Sequence, residues 1–246
     1  MEINIRNFKN ILKSGTMNYS IDTIHLCFDD DNRVVSKMIG NARDIIVIID
    51  TVNDIIPDLG DTDFYFDEPA LQLRPFLNLI EDDDEDADIK IYQEKVVIKQ
   101  GDAHVSAFFC VPQSVGIFNS DAPTDVENFL TMDVTDDFMS TFSKISKIGS
   151  RFGKVYFNVK DGQFSIETSD KTNAFSNGLE FDLSTNKIDS EDLTLCFDYR
   201  NMVNLMSIID NEYIANFAYL KDKELGMMSV TSPDLDYRYY LMSREV

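Results

Sequence analysis

The chain has 246 residues, 43% of them hydrophobic, and 44 Asp and Glu against 22 Lys and Arg give a formal net charge of −22. This length suits one large domain or two ordinary ones, with enough apolar residues for a core in each. No apolar run approaches the roughly 18 residues of a membrane span, and the N-terminal segment, with Glu2, lacks the apolar region of a secretory signal. Three scattered cysteines, Cys27, Cys110 and Cys196, indicate buried thiols in a reducing compartment, so we expect a cytoplasmic protein.

The first half of the chain predicts two helices and seven short strands. Residues 4–15 carry Ile5, Phe8 and Ile11 at helical spacing, and Leu71 to Ile80 predict a second helix that Pro75 shortens or kinks. Strands are predicted at residues 19–28, 34–39, 45–49, 64–66, 89–92, 96–99 and 103–111. The acidic run at 81–88 lacks an EF-hand pattern and predicts a solvated loop, not a metal site.

A boundary is predicted where prolines, glycine and polar residues separate two β-rich regions. We therefore expect one domain at residues 1–113, a linker at 114–128 and a second domain at 129–246. Ser114 to Phe118, SVGIF, is apolar where a linker is usually polar. Such a segment either anchors the linker to a domain or forms part of a binding surface.

The second half predicts the same kind of order. After a strand at 129–134, a helix at 138–148 is capped by Asp136 or Asp137 and turns Phe138, Phe142, Ile145 and Ile148 inward. Asp161-Gly162 is a strong turn signal for a hairpin of strands 155–159 and 163–167. Strands at 174–183 and 193–197, a helix at 199–209, and strands at 213–220, 225–231 and 236–242 complete the chain.

The two halves repeat one pattern at a nearly constant offset, close to half the chain. At one common offset, Phe66-Asp67 falls on Phe197-Asp198, Phe108-Phe109 falls on Tyr239-Tyr240, and Ile24, Leu26, Phe28 and Asp30 fall on Val155, Phe157, Val159 and Asp161. At a slightly longer offset, Phe8, Ile11, Lys13 and Gly15 fall on Phe142, Ile145, Lys147 and Gly149. Several matches in order favour two copies of one fold over a chance likeness of β-rich outlines.

Charge is segregated by type of element. The predicted helices, taken as residues 4–15, 71–80, 138–151 and 199–209, contain eight of the 22 basic residues and none of the 44 acids. Amphipathic helices often carry Lys on their wet face, which explains the bases but not the missing acids. A chain that is acidic except on its helices is suited to present those helices to a polyanion, through sequence-independent phosphate contacts.

Residues for catalysis are scarce. The chain has two histidines, His25 and His104, no Gly-rich phosphate loop, no nucleophile elbow and no HExxH motif. His25 and Cys27 share one strand face, but two ligands do not make a zinc site. We therefore expect no enzymatic activity, no metal and no cofactor.

The C-terminal region resembles a known family. Leu225 to Glu245, LGMMSVTSPDLDYRYYLMSRE, resembles the last hairpin of PCNA-type clamps, including the closing Tyr239-Tyr240-Leu241, and DGQFSIET at 161–168 is similar in kind. In layout nearly the whole chain is similar to the DNA sliding clamps of the PCNA and T-even phage type. Ser243 stands where many clamps have proline. The short, acidic chain looks more like a phage or viral clamp than a cellular one.

The resemblance implies an α+β fold with two tandem clamp domains, in which three chains form a ring with sheets outside and helices inside. Such a ring encircles duplex DNA without reading its sequence, tethers a DNA polymerase and is opened by a clamp loader, with no membrane partner and, for a phage protein, in the host cytoplasm. The alternatives are a monomeric or dimeric viral processivity factor of the same fold and an acidic DNA mimic. A mimic should carry acids on its helices, which these lack.

Three sets of site residues follow. For the DNA-facing pore we expect Arg6, Lys9, Lys13, Arg74, Lys144, Lys147, Arg151 and Arg200. By resemblance, the subunit interface comprises Phe108, Phe109, Leu179 and Phe181, and a groove for partner peptides comprises Ile117, Phe118, Leu225, Tyr240 and Met242.

Overall fold

The computed structural model describes residues 2–57, 59–67, 87–120, 126, 128–172, 177–183, 188, 191–220 and 225–243. The chain folds into two compact units: unit 1 holds Met1–Asn41 and Ile46–Ser120, and unit 2 holds Ala42–Ile45 and Asp121–Val246. The predicted helix at 71–80 with Arg74, most of the acidic run at 81–88, and the start of the predicted strand at 174–183 lie outside the described residues.

Unit 1 begins with a helix and continues as antiparallel strands. Its elements are α1 (Ile5–Gly15), β1 (Thr23–Phe28), β2 (Arg33–Ile39), β3 (Ile45–Val52), β4 (Thr62–Asp67), β5 (Asp88–Ile91), β6 (Lys95–Gln100) and β7 (Ala103–Phe108). Neighbouring strands follow the order β4-β1-β2-β3 in one sheet and β5-β6-β7 in another. Glu2 adds an antiparallel bridge to Asp88, at the start of β5.

Helix α1 has the signals that its sequence indicates. The Asn4 side chain caps it by accepting the Asn7 N–H at 3.1 Å, and Phe8 and Leu12 are buried. The predicted start of the first strand at residue 19 is wrong. Met17, Asn18 and Tyr19 have left-handed φ angles of 47°, 49° and 66°, so these residues form turns, and β1 begins at Thr23.

Unit 2 has the same kinds of element. They are β8 (Asn128–Asp133), α2 (Asp136–Gly149), β9 (Lys154–Lys160), β10 (Gln163–Thr168), β11 (Leu179–Leu183), β12 (Leu193–Asp198), α3 (Tyr199–Met206), β13 (Ile214–Leu220), β14 (Leu225–Thr231) and β15 (Tyr237–Met242). One set of strands follows the order β11-β10-β9-β12 and another the order β15-β14-β13-β8. Phe157, Phe164 and Phe217 pack together in the core, with ring centroids 5.0 to 5.7 Å apart.

The strand orders confirm the duplicated fold. The order β4-β1-β2-β3 in unit 1 corresponds to β12-β9-β10-β11 in unit 2. The register agrees as well. Ile24 pairs with Phe66 in unit 1 and Val155 pairs with Phe197 in unit 2, so both residues of the first pair are separated from their counterparts by the same number of residues. The helices agree at their slightly longer offset, since α1 and α2 both end in a glycine, Gly15 and Gly149.

One predicted equivalence between the halves is wrong. The turn between β6 and β7 comprises residues 101–102, whereas the one between β14 and β15 spans residues 233–236. In β15, Tyr239 pairs with the buried Val230 and is fully buried, whereas in β7 Phe108 pairs with Lys95 and is 54% exposed. The two aromatic pairs therefore do not occupy equivalent places.

Helix α2 also differs from its prediction. Thr135 caps it by accepting the Phe138 N–H at 3.2 Å, so the helix starts two residues early and includes Asp136 and Asp137 in its first turn. Acids are favoured there because they face the positive end of the helix dipole. Ile148, which we expected to be buried, is 37% exposed.

Two other elements end earlier than predicted. Strand β7 ends at Phe108 and helix α3 ends at Met206, each three residues before its predicted end.

Candidate nucleic-acid interface

Helix α1 presents a basic face in unit 1. Arg6 is exposed, and Lys9 and Lys13 are half-buried, on the helix side opposite the buried Phe8. The helix contains no Asp or Glu, so every charged side chain on its wet face is basic. Lys9 and Lys13 are four residues apart, which places them one above the other on the helix surface.

Helix α2 presents a second basic surface, in unit 2. Lys144 and Lys147 are exposed on its C-terminal half, and Arg151 is exposed in the turn that follows. The Lys144 ammonium lies 5.7 Å from the centre of the Phe181 ring. Because α2 includes two aspartates, the described helices together contain two acids, and the expectation of acid-free helices is wrong for the first turn of α2.

Helix α3 packs against α2 and adds Arg200. The Tyr199 hydroxyl donates to the Ser146 carbonyl at 2.7 Å, and a Cβ on Gly149 would lie 2.6 Å from the Tyr199 ring. Asp198 caps α3 by accepting the Arg200 and Asn201 N–H groups. Arg200 is exposed at the first turn.

Two predicted interface strands are edges of their sheets. Among the described residues, β7 has β6 as its one neighbouring strand, and β11 has β10. Phe108 is exposed on β7. Phe109, the next residue, is half-buried: its ring lies 5.2 Å from that of Phe64, and its N–H donates to the Glu94 carbonyl at 2.8 Å. An edge strand offers unpaired backbone groups to another chain.

The remaining predicted interface residues, Leu179 and Phe181, lie on β11 and are half-buried. They alternate with the exposed Glu180 and Asp182, so the two apolar side chains share one face of the strand and the two acids share the other. Lys144 over the Phe181 ring shows that the first of these faces is the one next to α2.

The apolar linker segment is anchored to β2. The Phe118 N–H donates to the Lys37 carbonyl at 2.9 Å, and the Gly116 carbonyl accepts the Ile39 N–H at 3.0 Å. A Cβ on Gly116 would lie 2.7 Å from the Ile39 carbonyl oxygen, which explains the glycine there. Ile117 and Phe118 are half-buried, so anchoring leaves part of each side chain accessible.

The other predicted groove residues belong to unit 2. Leu225 begins β14 and Met242 ends β15, both half-buried, while Tyr240 is 6% exposed. Burial raises the pKa of the Tyr240 hydroxyl. The structure thus places Ile117 and Phe118 in unit 1, and Leu225, Tyr240 and Met242 in unit 2.

His25 and Cys27 have local partners. The His25 ring stacks on Tyr65 with centroids 4.4 Å apart, and its Nε2 atom lies 2.7 Å from Asp63 Oδ1. Burial, reinforced by Asp63, raises the pKa of the Cys27 thiol to about 11. Within the described part of the chain, His, Cys, Asp and Glu side chains form no group of three or more that could hold a metal ion.

The described residues contain no helix long and apolar enough to span a membrane.

A basic and aromatic sheet face escaped the sequence reasoning. Lys90 in β5 and Tyr92 just after it are two residues apart and share one face of the sheet. Lys95 and Lys99 lie on the same face of β6. Phe108 lies beside Lys95 on β7. Alternation at a period of two indicates that Lys90 and Tyr92 share a face of one strand, but joining them to Lys95 and Phe108 requires the pairing of the three strands.

The architecture defines the class: the chain has the sliding-clamp fold. The beta chain of DNA polymerase III from Streptococcus pneumoniae TIGR4 matches all of this chain and 64% of its own, with a TM-score of 0.72 and 13% identity. The sliding clamp of Bacillus subtilis matches over the same shares, with a TM-score of 0.73 and 12% identity. A PCNA from A. fulgidus, solved with the C-terminal region of FEN-1 bound, matches 99% of this chain and 97% of its own, with a TM-score of 0.65 and 12% identity.

The chain therefore spans less than two thirds of the two bacterial clamps and nearly the full length of the A. fulgidus PCNA. No protein-family model matches the sequence, and no curated protein matches it significantly. At these identities the likeness establishes the fold alone.

Proposed function

We propose that this protein is a DNA sliding clamp, a ring of three chains that encircles duplex DNA and tethers a DNA polymerase. The observation that carries the proposal is the duplicated fold, in which both units have the same strand order and register. A chain of two such units matches a PCNA along almost its whole length. The two units are then clamp domains, with residues 114–128 as the connection between them.

Ring closure requires each chain to present complementary edges. In a head-to-tail assembly, the free edge of β7 pairs with the free edge of β11 in the next chain, and the rotation closes after three copies. The exposed Phe108 and the half-buried Leu179 and Phe181 then lie at this junction. The half-buried Phe109 ring packs against Phe64 and Phe66 of its own unit, with centroids 5.2 and 5.5 Å apart, so only part of it is left for the junction.

The basic helices contact DNA in the proposed ring. Arg6, Lys9 and Lys13 on α1, and Lys144, Lys147, Arg151 and Arg200 in unit 2, face the phosphates in this proposal, with Arg74 added by resemblance alone. The acidic remainder of a chain of net charge −22 repels DNA from other surfaces. Contacts of this kind hold DNA without reading bases, as sliding requires, and no catalysis is involved.

Partner peptides from the polymerase and the clamp loader bind at Ile117, Phe118, Leu225, Tyr240 and Met242. The support is the accessible part of the anchored linker segment, the half-buried Met242, and the peptide-bound A. fulgidus PCNA, which shows that the fold accommodates a partner segment. Methionine suits such a surface because its flexible side chain adapts to different partners. The short, acidic sequence favours a phage or viral source.

Size-exclusion chromatography with light scattering tests the proposal. A ring has a mass three times the 28.2 kDa of one chain. A monomer or dimer that still stimulates a polymerase would favour the non-ring processivity factor. A monomer that inhibits DNA-binding proteins would favour the DNA mimic, although the basic face of α1 argues against it.

A further inference from the structure

The outer face of the β5-β6-β7 sheet is basic in a chain that is otherwise strongly acidic. Lys90 and Lys99 are exposed there, and Lys95 is half-buried in the row next to that of Lys90. The opposite face of the same sheet is the core side, where Ile89, Val96 and Ile98 are buried. The lysines therefore point away from the core, and they belong to none of the helices assigned to duplex DNA.

Aromatic rings accompany these lysines. Tyr92 is 50% exposed and Phe108 is 54% exposed, both on the row of the sheet that contains Lys95. The Lys95 ammonium lies 5.9 Å from the centre of the Tyr92 ring and 5.2 Å from that of Phe108. The row thus presents a cation flanked by two rings that remain half open to solvent.

We propose that this face binds single-stranded nucleic acid, with the lysines on phosphates and the Tyr92 ring stacked on an unpaired base, while Phe108 serves the proposed junction. Proteins that bind single strands without sequence preference combine such a basic track with exposed aromatic rings. The bases of a duplex are already stacked, so the Tyr92 ring would gain little from it. The site therefore differs in ligand and in location from the duplex-binding helices.

Local charge favours the interaction despite the net charge of the chain. Among the described residues of β5, β6 and β7, three lysines and one carboxylate, Asp88, lie on this face, with Asp88 opposite Lys99. Glu94 and Asp102 lie at the ends of the face, in the turns between the strands. Acids further away than the Debye length of about 10 Å at 0.1 M salt are largely screened, whereas direct lysine–phosphate contacts persist. We expect weak binding with a clear salt dependence.

The test is fluorescence anisotropy of a labelled oligothymidylate of about 20 nucleotides, which is longer than the roughly 4–16 nucleotides that one single-strand-binding fold covers. In the full chain, Lys90→Glu with Lys99→Glu should reduce the slope of log affinity against log salt by about 1.4, at about 0.7 per single-strand phosphate contact. Tyr92→Ala should weaken binding about fivefold or more through the lost stacking. These exposed positions tolerate substitution with little change in stability.

Matched controls separate this site from the proposed pore. Lys160→Glu, at an exposed position on β9, should leave oligothymidylate affinity unchanged. Lys144→Glu with Lys147→Glu removes the α2 lysines assigned to the pore and measures what that surface adds to oligothymidylate binding. Loss of binding in the Lys144 and Lys147 variant but not in the Lys90 and Lys99 variant would overturn the proposal. So would unchanged affinity in Tyr92→Ala together with equal displacement by polyglutamate, because that result would identify the face as a site for acidic protein segments.

Discussion

Proline at Ser106 should open the ring without unfolding the chain. The Phe109 N–H donates to the carbonyl of Glu94, the residue before β6. Along an antiparallel strand, successive N–H groups point alternately to one neighbouring strand and to the other side. The Ser106 N–H therefore points to the free edge of β7, where a neighbouring chain would accept it. Ser106→Pro removes that donor but keeps the β6-β7 ladder, and edge strands tolerate such prolines.

The size of the effect follows from the number of junctions. One hydrogen bond contributes about 1 kcal/mol net, so a ring with three identical junctions loses about 3 kcal/mol, or about 150-fold in the association constant for the trimer. Light scattering over a dilution series measures that constant, and thermal unfolding checks the fold. Ala107→Pro is the contrasting variant, since its N–H points at β6 and its loss should destabilise unit 1 itself. A Ser106→Pro trimer as stable as the wild type would refute the pairing of β7.

Three further predictions concern the pore, the groove and a buried thiol. Lys144→Glu with Lys147→Glu should lower the slope of log duplex affinity against log salt by about 1.8, at about 0.9 per phosphate contact, as measured by anisotropy. Phe118→Asp with Met242→Asp should abolish polymerase stimulation and partner-peptide binding, while light scattering still shows a trimer. With its pKa raised to about 11, Cys27 should be alkylated at pH 8 about a hundredfold more slowly than an unperturbed thiol of pKa 9, because only the thiolate reacts, and peptide mass spectrometry reads the rate.

Each of these predictions has a result that contradicts it. An unchanged salt slope would remove α2 from the DNA interface, provided that Lys160→Glu is also neutral. Loss of the trimer in the Phe118 and Met242 variant would make that pair structural, and unchanged peptide affinity would place the groove elsewhere. Rapid alkylation of Cys27 that does not increase between pH 8 and pH 10 would mean that the thiol is not held protonated.

The repeat could be predicted from the sequence because equivalent strands keep the same spacing. Ile24 pairs with Phe66 across two strands of unit 1, and Val155 pairs with Phe197 across the equivalent strands of unit 2. Because each pairing fixes two positions at once, the same spacing appears in both halves of the sequence. The displacement of β15 was hidden, because a longer turn changes no local pattern. The start of α2 was missed for a similar reason: Thr135, Asp136 and Asp137 are all good caps, and sequence alone does not choose between them.

The candidate sites were predictable where one element contains the whole signal. The basic residues of α1 share a helix face, and helical spacing is enough to show this. The sheet face with Lys90, Lys95 and Phe108 needed the pairing of three strands, which only the structure supplies. Phe108 and Phe109 were both predicted at the subunit interface, but they point to opposite sides of the chain, and the half-buried Phe109 ring packs beside Phe64.

Topological linkage to DNA tests the ring most directly. The protein is diluted to separate chains and concentrated again with nicked circular DNA, so that rings close around the DNA. It is then treated with a bifunctional cross-linker to seal the ring junctions, and denatured in detergent. A sealed ring that encircles DNA stays with the circle and is released when the circle is cut, whereas protein cross-linked on linear DNA comes off at once. We predict retention on circles alone. Equal release from circular and linear DNA, in samples where sealed trimers have formed, would contradict the proposal that the chain encircles DNA.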